Sequence, residues 1–181
     1  DLASGLDDEI AQLASTAARR LARDFVDRAA AEARLLPEAV LASVLSSLGP
    51  DPLALADRLG CSPLLVMRRL VGVSGSLTGL VMCDGSGTLT FRKPTTGFPL
   101  PRFGSACPLW PLYAALGRPG QPFEARVEVS GQSDRRHRVI AWAETRHPEG
   151  LRGRELREAA MLILPDEGAG PVTRIGSSCR V

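Results

Sequence analysis

Signals for export or membrane insertion are missing from this 181-residue chain. No apolar run reaches the roughly 18–20 residues that a helix needs to cross a bilayer. An N-terminus carrying Asp1, Asp7 and Asp8 has neither the basic nor the apolar region of a signal peptide. The expected compartment is the cytoplasm, with no membrane partner. Cysteines at 61, 83, 107 and 179 form no C-x-x-C pair. Scattered thiols without an export signal do not make a disulfide framework, and Cys61 and Cys83 read first as small buried apolar residues. Lysine is nearly missing, since Lys93 is the only one among 22 basic side chains. Twenty acidic residues leave a net charge of +2 with the signs mixed along the chain, which does not predict general nucleic-acid binding. A local arginine cluster would still offer the planar donor fork that grips phosphate.

Catalytic motifs are missing as well. A zinc protease of the His-Glu-x-x-His type needs two histidines one helical turn apart. Here His137 and His147 stand apart by ten positions, and neither is followed by glutamate. There is no Gly-x-Ser-x-Gly elbow, phosphate-binding Walker loop or dinucleotide fingerprint. The chain is not expected to be an enzyme, and residual peptidase activity is the weakest of the functional readings.

What is present is an ordinary globular composition, 44% apolar and 23% charged. Leu6, Ile10, Leu13, Ala17, Leu21 and Phe25 recur at helical spacing behind a possible cap at Ser4, predicting one long amphipathic helix that ends before Pro37. Its apolar stripe suits local packing or a homodimer, and its abrupt start suggests a chain cut from something longer. A second helix is expected from Glu38 to Leu48. Asp51-Pro52 and Ser62-Pro63 each place a side-chain cap before a proline at the first helical position, which predicts short helices over Pro52–Leu59 and Pro63–Val71 with Gly60 closing the first. That pair has the outline of a helix-turn-helix, so a DNA-binding or dimerisation module is the alternative function. The apolar opening Pro63-Leu64-Leu65-Val66-Met67 favours a structural pair, because a recognition helix presents polar side chains there.

From Leu77 onward a hairpin is expected around Asp84-Gly85-Ser86-Gly87, then a short helix over Cys107–Leu116 and strands over Phe123–Val129, His137–Ala143 and Ala160–Leu164. The order implies an α+β fold, with N-terminal helices on one side of an antiparallel sheet and one short packed helix, resembling GAF-type sensor domains. Residues 1–73 would form the helical region and 74–181 the sheet domain. Phe91, Phe98, Phe103, Trp110 and Tyr113 crowd one stretch, with Arg92, Lys93 and Arg102 beside them. Two readings stand: the core of the sheet, or a pocket with apolar walls and basic rims of the sort an acyl chain on a phosphate-rich handle requires.

The run Gly79-Leu80-Val81-Met82-Cys83-Asp84, then Gly87 to Lys93, then Gly97 to Trp110, together with the terminal Ile175-Gly176-Ser177-Ser178-Cys179-Arg180-Val181, resembles the bacterial short-chain fatty acyl-CoA regulators of the RamB and PrpR type. Such proteins join a helix-turn-helix DNA-binding domain to a C-terminal sensing domain, and Leu53–Val71 looks like the tail of their IrrE-like middle region. The resemblance implies acyl-CoA as ligand; in the pocket reading above, Arg92 and Arg102 would hold its phosphates or a carboxyl group, and Phe98, Phe103 and Trp110 would wall the acyl chain. DNA would be reached through a domain outside this chain. The resemblance further implies an iron–sulfur cluster or zinc in some members, with Cys179 as one ligand and Cys107 as the remote one. In relatives the Cys179 segment continues into further cysteines. Two thiolates do not complete a four-cysteine site, so no cluster is expected in this chain alone.

Overall fold

The computed structural model of the chain describes residues 2–73, 77–101, 106–130, 135–166 and 168–176. The N-terminal periodicity is divided between two helices, α1 (Leu2–Ala11) and α2 (Thr16–Leu35), rather than carried by one. Ser15 causes the division: its backbone is extended and its hydroxyl accepts from the Ala18 N–H, which caps a new helix. Ser4 falls inside α1 instead of ahead of it. α3 (Glu38–Leu48), α4 (Pro52–Leu59) and α5 (Pro63–Gly72) follow. Asp51 Oδ1 accepts from the N–H groups of Leu53 at 3.0 Å and Ala54 at 3.1 Å, and the Ser62 hydroxyl accepts from Leu65. Gly60 ends α4 in the left-handed region, at φ 63° and ψ 37°.

The α4–α5 pair is structural. α5 buries Leu64, Leu65, Val66, Met67, Leu70 and Val71. Its two arginines are already engaged, Arg68 with Glu32 and Glu158, and Arg69 donating to the Leu36 carbonyl. Six of the ten residues of α5 thus face the core, which suits packing better than the polar face of a recognition helix.

Six strands form one sheet: β1 (Gly79–Asp84), β2 (Leu89–Lys93), β3 (Phe123–Val129), β4 (Arg136–Arg146), β5 (Leu156–Pro165) and β6 (Thr173–Ile175), with helix α6 (Pro111–Leu116) between β2 and β3. Their order is β2-β1-β5-β4-β3-β6. The first five pair antiparallel, but β6 runs parallel to the end of β3, so the sheet is mixed where a wholly antiparallel one is expected from sequence. After β5 the chain passes β4 and β3 to reach the far edge, and it arrives running the same way as β3.

Helices also cover both faces of the sheet rather than one. Along β5, Ala159, Met161 and Ile163 pack into the core beneath α6, while Ala160, Leu162 and Leu164 pack into the core beneath α3, α4 and α5. A strand buried on both faces reads as a continuous apolar run, which hides its period of two. α6 starts at Pro111, later than the sequence suggests, because Trp110 ahead of the proline adopts ψ 138° and leaves the helical region. Residues 107–110 instead close a turn, with the Trp110 N–H donating to the Cys107 carbonyl.

The β1–β2 turn is satisfied from within. The Asp84 carboxylate accepts from the Ser86 hydroxyl and from the Ser86 and Thr88 N–H groups, and these bonds, the Ser86 hydroxyl foremost, hold its pKa below the usual carboxylate value. Gly87 has φ 83°, and a Cβ there would stand 3.1 Å from the Tyr113 ring, whose hydroxyl donates to the Gly87 carbonyl. Glycine is therefore demanded twice at this position.

Candidate functional site

A cavity of about 720 Å³ opens between α2, α5 and the β2-β1-β5 side of the sheet. Strand pairing builds its floor: Met82 lies opposite Phe91 and Leu80 opposite Lys93, so these side chains share the face toward the helices. Leu21 and Phe25 of α2 make the wall. None of the residues of α2 described for burial is fully buried, so the helix leans across the groove instead of sinking into the core.

Charge closes one end of the groove. Glu158 of β5, 14% exposed, faces Arg146 of β4 at 3.2 Å, Arg68 of α5 at 3.5 Å and Arg28 of α2 at 3.6 Å. Arg68 also lies 2.6 Å from Glu32, one turn beyond Arg28 on α2. The Arg68 Nε–H is not aligned on that carboxylate, so the pair is an ionic contact more than a hydrogen bond. At the other end the Lys93 ammonium donates to the Val71 carbonyl. The result is an apolar trough with a cationic rim in which two carboxylates occupy the guanidinium groups.

The residues singled out from sequence sit elsewhere. Phe98 and Trp110 are each 1% exposed, with ring centroids 5.5 Å apart, inside the core beneath α6. Arg92, opposite Val81, belongs to that same face and donates to the Pro101 carbonyl. None of these three lines the groove, whereas Phe91, one position from Arg92, is part of its floor. Arg102, Phe103 and Cys179 lie outside the described residues. Sequence reasoning missed Arg28, Glu32, Arg146 and Glu158. The i, i+4 spacing of Arg28 and Glu32 was a legible signal for a charged helix face, but nothing local connects it to β5.

Of the described thiols, Cys83 is pushed up to about 12, by burial first and then by Asp84, and Cys61 is raised by burial and by Glu144. Cys83 is a packed core thiol and Cys61 a half-buried one, and both are biased toward the protonated form. Cys107 is buried in the same core as Ile175, and the Trp110 indole donates to the Gly176 carbonyl at 2.8 Å, which anchors the segment entering Cys179. Among the described residues no group of three or more His, Cys, Asp or Glu is placed to hold a metal ion. Cys107 is a single thiol where a cluster takes four, so the described residues do not by themselves fit such a group.

A solved structure of a Mycobacterium tuberculosis transcriptional regulator superposes with a TM-score of 0.78 over 98% of this chain and 60% of that one, at 23% identity, a likeness that establishes the fold. The family model "Short-chain fatty acyl coenzyme A regulator, C-terminal" matches residues 74–181, and the chain belongs to that family. The propionyl-CoA carboxylase regulator of Cereibacter sphaeroides is 33% identical over 118 residues, covering 62% of this chain and 26% of that protein. The chain thus spans about a quarter of that relative's length. The family suggested by residues 79–110 is the one found, and membership makes this a regulator domain and not an enzyme. No helix of the described residues is long and apolar enough to cross a membrane.

Proposed function

We propose that this chain is the sensing domain of a cytoplasmic transcription regulator and that the groove between α2 and the sheet binds short-chain acyl-CoA. The observation that carries the reading is the apolar trough whose end draws arginines from three separate elements onto Glu158. A short acyl chain fits against Leu80, Met82 and Phe91, while phosphate oxygens of the coenzyme replace the Glu158 and Glu32 carboxylates as partners of Arg28, Arg68 and Arg146. Because those ion pairs help to hold α2 over the groove, exchanging their partners changes its position. A ligand that binds the two positions of α2 unequally is a switch. DNA is contacted by another part of the regulator, and the exposed Leu6 of α1, Leu13 between the two helices and Leu35 of α2 support a homodimer that covers them.

Titration calorimetry with acetyl- and propionyl-CoA tests the groove. Saturable binding is expected, and Arg28→Ala or Arg146→Ala should weaken it roughly tenfold, the scale of one charge-assisted contact. Binding that is absent at millimolar ligand, or unchanged in both variants, would remove the groove from consideration.

A further inference from the structure

A second cavity, of about 410 Å³, lies at the end of β5 remote from Glu158. It is bounded by Thr95 and Thr96 of the loop after β2, by Arg135, Arg136 and His137 at the start of β4, and by Asp166 beyond β5. The charges there do not cancel. Asp166 lies in ionic contact with Arg126, Oδ2 to Nε 3.0 Å, while its Oδ1 accepts from the Gly168 N–H and Arg126 also donates to the Ala169 carbonyl. Arg135 and Arg136 pair with no carboxylate among the described residues. Two exposed guanidinium groups therefore border the cavity without a paired carboxylate among the described residues.

His137 supplies the second, independent observation. It is 2% exposed, with its ring edge-to-face against Phe98 at 5.3 Å. Nε2 lies 3.1 Å from the Thr96 carbonyl, an acceptor, so Nε2 carries the ring proton. Nδ1 is then left with its lone pair, buried and without a hydrogen-bond partner among the described residues. Buried polar atoms are almost always satisfied, and because His137 is one of the residues lining the cavity, a ligand there is the available source of the missing partner. The groups acting on the ring are Thr96, Arg135 and Asp166. Burial, the largest influence, lowers its pKa, which keeps the lone pair available at neutral pH.

We propose that this cavity is a second effector site, separate from the groove, that takes the phosphate group of a small metabolite. A phosphate group that keeps one proton matches both features, because its charged oxygens accept from Arg135 and Arg136 while its remaining O–H donates to Nδ1; inorganic hydrogen phosphate has that O–H at neutral pH, and a phosphate ester has it when bound as the monoanion. A carboxylate offers acceptors only and leaves Nδ1 unsatisfied. The phosphate has two possible sources, a free phosphorylated metabolite or the coenzyme end of an acyl-CoA.

The imidazole NMR signals of His137 report on the site, with His147, the only other histidine, as internal control. Titration with inorganic phosphate is expected to move the His137 signals saturably and leave those of His147 in place. Acetate at equal ionic strength should move them several-fold less. Arg135→Ala with Arg136→Ala, both at exposed positions, abolishes the response, whereas the control pair Arg152→Ala with Arg154→Ala retains it. An equal shift from acetyl-CoA in phosphate-free buffer assigns the phosphate to the coenzyme, and no shift assigns it to a free metabolite; either result keeps the cavity as a phosphate site. A non-saturating shift, or one that persists in the Arg135/Arg136 variant, overturns the proposal. Neither outcome bears on the groove, whose own variants lie at the other end of β5.

Discussion

Replacing Arg68 with alanine is expected to cost the domain about 3 kcal/mol, because it strips the cation from between two sheltered carboxylates. Glu32 and Glu158 are 12% and 14% exposed, and Arg68, at 19%, is the one cation that meets both. Arg28 and Arg146 are half exposed or more and hold Glu158 through solvent-screened contacts, so neither compensates. Removing Arg68 also unfastens α2 from α5, since Glu32 is the α2 residue that it grips. Urea denaturation at neutral pH measures the loss. The triple change Arg68→Met, Glu32→Leu, Glu158→Leu should recover most of it, because well-packed apolar groups often replace a buried ionic cluster without penalty. A loss below about 1 kcal/mol for Arg68→Ala would place the cluster among ordinary surface ion pairs.

Trp110→Ala should be at least as damaging, at about 3–5 kcal/mol for deleting a large aromatic side chain from a closed core. The indole is 1% exposed, stacks edge-on against Phe98, and donates to the Gly176 carbonyl at 2.8 Å. The truncation thus opens a void beneath α6 and leaves a carbonyl beside β6 without its donor. Trp110→Phe separates the two effects. It keeps most of the ring volume and should cost only about 1–2 kcal/mol for the lost hydrogen bond and the remaining gap. Thermal denaturation followed by circular dichroism distinguishes the three proteins. A tolerated Trp110→Ala would mean that the core closes around the gap.

The legible parts of the fold are those whose causes are local. Asp51-Pro52 and Ser62-Pro63 carry cap and first turn within a few residues, and α4 and α5 start where those pairs indicate. Phe123–Val129 alternates polar and apolar residues and is β3. The failures have non-local causes. Ser15 is one polar residue inside an unbroken apolar periodicity, and only its cap geometry shows that the helix restarts there. β5 opens with Leu156, Arg157 and Glu158, a charged beginning that reads as loop until β1 and β4 pair with it. β6 has three residues and exists only through its pairing with β3. The site shows the same division. Phe91 and Phe98 look equivalent as neighbouring aromatics, yet strand parity turns Phe91 toward the groove while Phe98 enters the opposite core. Glu158 acquires its role from residues 28, 68 and 146, which no sequence window contains together.

The central strand has a further consequence. β5 is flanked by β1 and β4 and roofed by helices on both faces, so detaching either helical layer, or either edge of the sheet, still leaves most of its amides covered. Hydrogen exchange from Ala159 to Leu164 should then proceed only through opening of the whole domain, while α2, with no buried residue among those described, exchanges through a smaller excursion of its own. Isotope labelling would read two clocks in one molecule, a slow one in the strand that joins the groove to the second cavity and a fast one in the helix leaning over the groove.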